Sequence, residues 1–253
     1  MTAVALRPLS LGEILDTTFQ VYRRYFPALV PIVLFCYGPP VLIDVFVQTS
    51  NGHAELRLIG ALLNLVLGAI ATAATVFIIS EGYLGRAITG QEAFHRATPY
   101  LGRLILASFA FGLIVALGTI LLVVPGIIAA CGLALTWPAI VLEGLSWDAG
   151  LRRSWELTRG HRGTIFLLMV VLMLLLILPM IAVGALVGFM AGLVARGGML
   201  AGAAALATAT VVGLVQLAIY PLFNCALTIV YYDLRVRKEG FDLEVLASTL
   251  QPA

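Results

Sequence analysis

The chain has 253 residues, 61% of them hydrophobic and only 11% charged, with a mean hydropathy of +1.06. An ordinary soluble domain is about half apolar and roughly a quarter charged, so this balance excludes that class, and with it disorder and a disulfide-rich secreted scaffold. Fifteen basic against thirteen acidic residues leave a net charge of +2, too little to hold a nucleic acid. What remains is an all-α, polytopic membrane bundle forming a single membrane domain over 1–253.

Residues 1–8 contain no long apolar run ahead of a small-residue cleavage site, so no signal peptide is expected and the first span directs insertion. Ser10 opens an amphipathic segment. Leu11, Ile14, Leu15, Phe19, Tyr22 and Phe26 fall on one helical face, and Glu13, Asp16, Gln20, Arg23 and Arg24 on the other. Ser10 and Glu13 stand at capping-box spacing. A bilayer core of about 30 Å needs about 20 apolar residues as a helix. Runs of that kind cover 27–48, 58–80, 104–124, 127–142, 164–195 and 197–232, which predicts six spans.

Between the second and third spans, Thr89 begins a second amphipathic segment with Glu92, Phe94, Leu101 and Arg103 at matching offsets; Pro99 must end or bend it. Pro125-Gly126 reads as the tight turn of an antiparallel hairpin. A third amphipathic segment starts at Ser146, with Trp147, Leu151, Trp155, Thr158 and Arg159 repeating the offsets of the first. The last two apolar runs exceed a simple span, which allows two long helices or four short ones, with Pro179 and Pro221 as possible kinks.

Each amphipathic segment would lie in the headgroup layer and lead into a pair of spans. Three such copies, at about 9–84, 88–144 and 145–234, suggest an approximate threefold parallel repeat followed by a cytoplasmic tail at 235–253. With six spans, 13 of the 15 basic residues share one side; only Arg57 and Arg196 face the other. The arginine rule then places both termini in the cytoplasm.

The returning spans end on Glu81, Glu143 and Asp233, with Arg86, Arg152, Arg153 and Arg235 close in sequence. These seven residues are expected to form a ring of ion pairs around the cytoplasmic rim, offsetting acids that face the wrong end of the helix dipole. Arg23, Arg24, Arg103, Arg159 and Arg162 are the candidate contacts to lipid headgroups. Asp44 is the one acid well inside a span, and with Asn64, Gln216 and Asn224 it makes the candidate intramembrane polar site. Gly184, Gly188 and Gly192 form a small-residue stripe suited to close helix packing. Cys36, Cys131 and Cys225 read as isolated buried thiols. His53, His95 and His161 do not converge, so no metal, cofactor or catalytic residue is expected.

The residues resemble a bacterial family of integral membrane proteins identified with the membrane domain of glycerophosphoryl diester phosphodiesterase. The likeness rests on 9–26 (LSLGEILDTTFQVYRRYF), on Val124-Pro125-Gly126-Ile127, on 142–160 (LEGLSWDAGLRRSWELTRG) and on 231–247 (YYDLRVRKEGFDLEVLA). It implies a location in the bacterial cytoplasmic membrane and no activity of its own, since catalysis there belongs to a separate soluble barrel with a His-Arg-Gly motif. His161-Arg162-Gly163 spells that tripeptide, but no acid follows before Asp233 and no room remains for a barrel of about 250 residues. The functional expectation is a non-catalytic scaffold or accessory protein docking a protein partner or membrane lipids at its cytoplasmic face. A transporter or channel for a lipid-like or small solute is the alternative, and an enzyme on phospholipid headgroups the second.

Overall fold

The computed structural model describes residues 7–49, 54–86, 88–194 and 200–241, with side chains described outside 48–49, 176, 179, 187 and 190–219. All regular structure among them is helical. In chain order the helices are α1 (Leu11–Thr49), α2 (Ala54–Tyr83), α3 (Gly90–Ala97), α4 (Leu101–Leu121), α5 (Val123–Gly132), α6 (Thr136–Glu143), α7 (Trp147–Leu157), α8 (Arg162–Val194) and α9 (Leu200–Glu239); a 3-10 turn at Thr98–Tyr100 joins α3 to α4. Five stretches are long and apolar enough to cross a membrane: Leu11–Val47, Ala54–Tyr83, Gly90–Leu121, Val123–Glu143 and Arg162–Leu186. The sixth expected span falls on α9, much of whose side-chain structure lies outside the described residues.

The expected capping box closes the start of α1. The Ser10 backbone N–H donates to Glu13 Oε2 at 2.8 Å, and the Glu13 N–H donates to Ser10 Oγ at 3.4 Å. The first amphipathic segment is not a separate interfacial helix, however. It runs unbroken into the span as one 39-residue helix through Pro27, Pro31, Pro39 and Pro40, about 58 Å long. Proline already holds a helical φ, so each removes a backbone hydrogen bond without forcing the chain to turn. The buried face is also rotated from the expected one: Ile14, Thr18 and Val21 are buried while Phe19 and Phe26 are exposed. The other two amphipathic segments are distinct helices, α3 and α7. The three junctions therefore differ, and the threefold equivalence is not visible at this level.

The core lies where α1, α2 and α9 pack together, around Ile14, Cys36, Ala73, Ile78, Cys225 and Tyr231. α8 packs along α9 as a single 33-residue helix, and α9 as a single 40-residue helix; the two-helix form of 164–232 is the one observed. The α4–α5 hairpin stands at the periphery, with Ile120 and Leu121 at 82% and 78% exposed, a surface that water would not tolerate but acyl chains would. Its turn is at Leu122, whose backbone is extended, so Pro125 and Gly126 sit in the first turn of α5. Gly126 lets the two helices touch: a Cβ there would lie 2.8 Å from the Thr119 nitrogen. Among the described residues, a Cβ at Gly184 or Gly188 would meet nothing within 4 Å, so neither shows the expected glycine packing on α8; Gly192 lies outside the described side chains.

The fourth apolar run is not a continuous helix. α5 ends at Gly132 and α6 restarts at Thr136, leaving Leu133, Ala134 and Leu135 buried in a turn. Buried backbone freed from a helix must find partners, and α7 supplies them. Ser154 Oγ donates to the Gly132 carbonyl at 2.9 Å and accepts from the Leu135 N–H at 3.1 Å, while Thr158 Oγ1 donates to the same carbonyl at 3.0 Å. This explains why α7 buries Gly150, Leu151, Ser154 and Leu157 and leaves Trp147 and Trp155 exposed.

Candidate functional site

Two polar regions stand out, one at the arginine-rich end of the bundle and one between the helices.

At the arginine-rich end, the expected ring resolves into three separate clusters. Glu81 pairs with Arg86 at 3.1 Å and with Arg96 at 3.3 Å. Arg153 Nε donates to both oxygens of Glu143 at 2.9 Å, and its terminal nitrogens reach Glu239, which also accepts from Arg235 at 3.0 Å. The Tyr231 hydroxyl donates to Glu143 at 2.6 Å. Asp233, only 5% exposed, accepts the Leu9 N–H at 2.7 Å and Arg237 Nε at 2.8 Å, while Arg237 also donates to the Leu9 carbonyl at 2.5 Å. The last cluster clasps the chain before α1 to the end of α9. Hydrogen bonding from Arg153, then Arg235, holds the Glu239 carboxyl below its usual range.

Arg152 departs from the expectation. It is exposed and makes no ion pair among the described residues, and its charge reaches only Asp148. The Asp148 carboxyl lies below its usual range chiefly because the Ser146 hydroxyl donates to it, with Arg152 adding a smaller pull. Conversely, sequence reasoning missed Arg96, Arg237 and Glu239. A signal for each was present, since they follow Glu92, Asp233 and Arg235 by four residues, one helical turn on.

The five candidate headgroup arginines divide. Arg23 is exposed, and Arg24, also exposed, lies 5.6 Å from the Tyr25 ring centroid. The Arg159 side chain is exposed while its carbonyl accepts from Lys238 at 2.7 Å. Arg103 donates to the Gly144 carbonyl at 2.9 Å, and Arg162 stacks on Trp155 at 3.7 Å. Those last two are structural pins as well as surface cations.

Between the helices lies a cavity of about 470 Å³ that sequence reasoning half anticipated. Tyr37 from α1, Asn64 and Thr72 from α2, Ser108 from α4, Trp137 from α6, and Tyr220 and Asn224 from α9 line it. The Tyr37 and Tyr220 rings stack at 4.8 Å, and Trp137 Nε1 donates to Ser108 Oγ at 3.4 Å. Neither the Asn64 nor the Asn224 side chain has a hydrogen-bond partner among the described residues. Asp44, expected beside them, does not line the cavity and is exposed. The Gln216 side chain lies outside the described residues. Along α2, Thr72 sits about 14 Å and Asn64 about 26 Å from Glu81 by helical rise, so the cavity occupies the middle and far half of the bundle.

Long apolar helices, an acyl-compatible surface and a polar cavity between the helices are the marks of a helical membrane-protein bundle. A family model matches residues 42–233, and the chain belongs to that family, described as Domain of unknown function (DUF7847). No curated protein and no solved structure matches the chain.

Proposed function

We propose that this is a non-catalytic integral protein of the bacterial cytoplasmic membrane that binds a small or lipid-like solute in the cavity between its helices. Six spans, both termini at the arginine-rich cytoplasmic face, and parallel repeats belong to the same proposal, as do membrane lipids around the exposed arginines. The observation that carries it is the convergence of seven uncharged polar side chains from five helices on one cavity. Its volume falls in the about 300–1,000 Å³ range of ligand pockets. Neither amide has a protein hydrogen-bond partner among the described residues; Asn224 is half-buried and Asn64 is exposed at the cavity mouth, so both are open to a ligand. A scaffold role is less well supported, because the rim spends most of its charges on internal ion pairs. The cavity, not the resemblance to a phosphodiesterase membrane domain, carries the reading.

Gly68 offers the test. A Cβ there would make only ordinary contacts, 3.5 Å to Asn64 Oδ1 and 3.6 Å to the Tyr37 ring, so Gly68→Leu should fold and fill the cavity. Gly112, exposed on α4 with nothing within 4 Å, gives the control Gly112→Leu. Native mass spectrometry of protein extracted in mild detergent should show a bound species in the wild type and in Gly112→Leu that is absent from Gly68→Leu. Equal retention by all three would overturn the proposal.

A further inference from the structure

We infer that the solute is an amphiphile with an uncharged polar head, entering from the lipid at the end of the bundle remote from the arginine rim; this rests on the solute-binding reading above. The charge argument comes first. Every polar side chain on the cavity wall is neutral, and together Asn64, Asn224, Thr72 and Ser108 offer both donors and acceptors. The side chains of α9 outside the described residues add no charge either, because 200–232 contains no Asp, Glu, Lys, Arg or His. Asp44, beside Gly60, and Arg57, one turn before Ala61, are exposed outside the wall and do not line it. Within the cavity a phosphate or ammonium head would give up its hydration and meet no counter-charge on the wall, whereas a hydroxyl or amide head would exchange water for matched hydrogen bonds.

The route follows from exposure along the cavity. Burial rises along it, with Leu227 buried and Thr72 and Ser108 half-buried at the inner end, while Ala61, Asn64 and Tyr220 are exposed at the other. Leu58 and Leu62, exposed on α2 next to that mouth, present an apolar surface to the same approach. The cavity is large enough for a head and its linker but not for long acyl chains, so the chains would stay in the bilayer against this apolar flank while the head enters.

The test compares two lipids with the same acyl chains, one with a neutral hydroxyl head and one with an anionic phosphate. The full chain is placed in phosphatidylcholine nanodiscs doped equally with dioleoylglycerol and dioleoyl phosphatidic acid, and retained lipid is read by native mass spectrometry after release. The expected result is retention of the neutral lipid at least about tenfold over the anionic one, with Asn64→Lys moving the ratio toward phosphatidic acid. Phosphatidic acid retained equally or better by the wild type would overturn the inference while leaving solute binding intact. Neither lipid retained above the Gly68→Leu background, with a different species still lost in that variant, would also overturn the inference and spare the broader reading. If no bound species depends on Gly68, both fall. Should Asn64→Lys not fold, the wild-type ratio decides alone.

Discussion

The rim and the cavity use polar residues in opposite ways. At the rim, carboxylates and guanidinium groups answer one another at 2.5–3.3 Å, and even the Leu9 backbone is drawn in. In the cavity, two asparagines stand with no protein partner. Polar groups that satisfy each other hold a structure together; polar groups left open are available to something else. The comparison assigns stability to the first region and recognition to the second, and it can be broken by substitution in either.

The largest effect should come from Arg153→Ala. It removes the cation shared by Glu143 and Glu239, and leaves two partly buried carboxylates without it. A loss of about 3 kcal/mol is expected, read as a drop in Tm in detergent; an unchanged Tm would show that the rim pairs do not stabilise the bundle. Next is Ser154→Ala, which takes the acceptor from the buried Leu135 N–H and one donor from the Gly132 carbonyl. About 1–2 kcal/mol should be lost in the same assay.

Acid should act more gently, through the carboxyls of the arginine-rich end. The folded-state pKa of Glu239 is depressed, so its contribution is present above the ordinary carboxylate pKa and is lost as pH falls through that range and below. Lowering pH should therefore reduce Tm in the wild type, and less so in Glu239→Gln. The smallest effects are expected at Asn224→Leu and Arg152→Ala, each within about 0.5 kcal/mol. Asn224→Leu should lose bound solute while keeping its Tm, which separates the two regions most sharply. A large fall in Tm there would show that the amide is structural.

Much of the fold was legible in the chain itself. Unbroken apolar runs dictate long helices because a backbone in hydrocarbon must bond within itself, and five of the expected runs become helical stretches long enough to span, the fourth with a turn inside it. Ser10 with Glu13 and Thr89 with Glu92 announced two helix starts. The joints were harder to read. Four prolines did not break α1, whereas the fourth run broke at Leu133–Leu135, where Pro138 cannot bond the Ala134 carbonyl four residues back and Ser154 and Thr158 take up freed backbone groups. Asn64 and Asn224 were identifiable as polar residues in apolar runs, but Tyr37, Thr72, Ser108, Trp137 and Tyr220 gave no sign of belonging with them.

Composition and periodicity determined that the protein is helical and apolar, and which residues are too polar for their surroundings. Those are properties of short windows, since hydration and backbone hydrogen bonding act over a turn or two. Only the tertiary structure decided that Asp44 stands off the cavity wall while Asn224 and Asn64 line it together, and that Arg153 rather than Arg152 ties the rim. Such partnerships depend on the rotation and height of each helix against its neighbours, which are settled by side-chain packing across the bundle and leave no local trace in the chain.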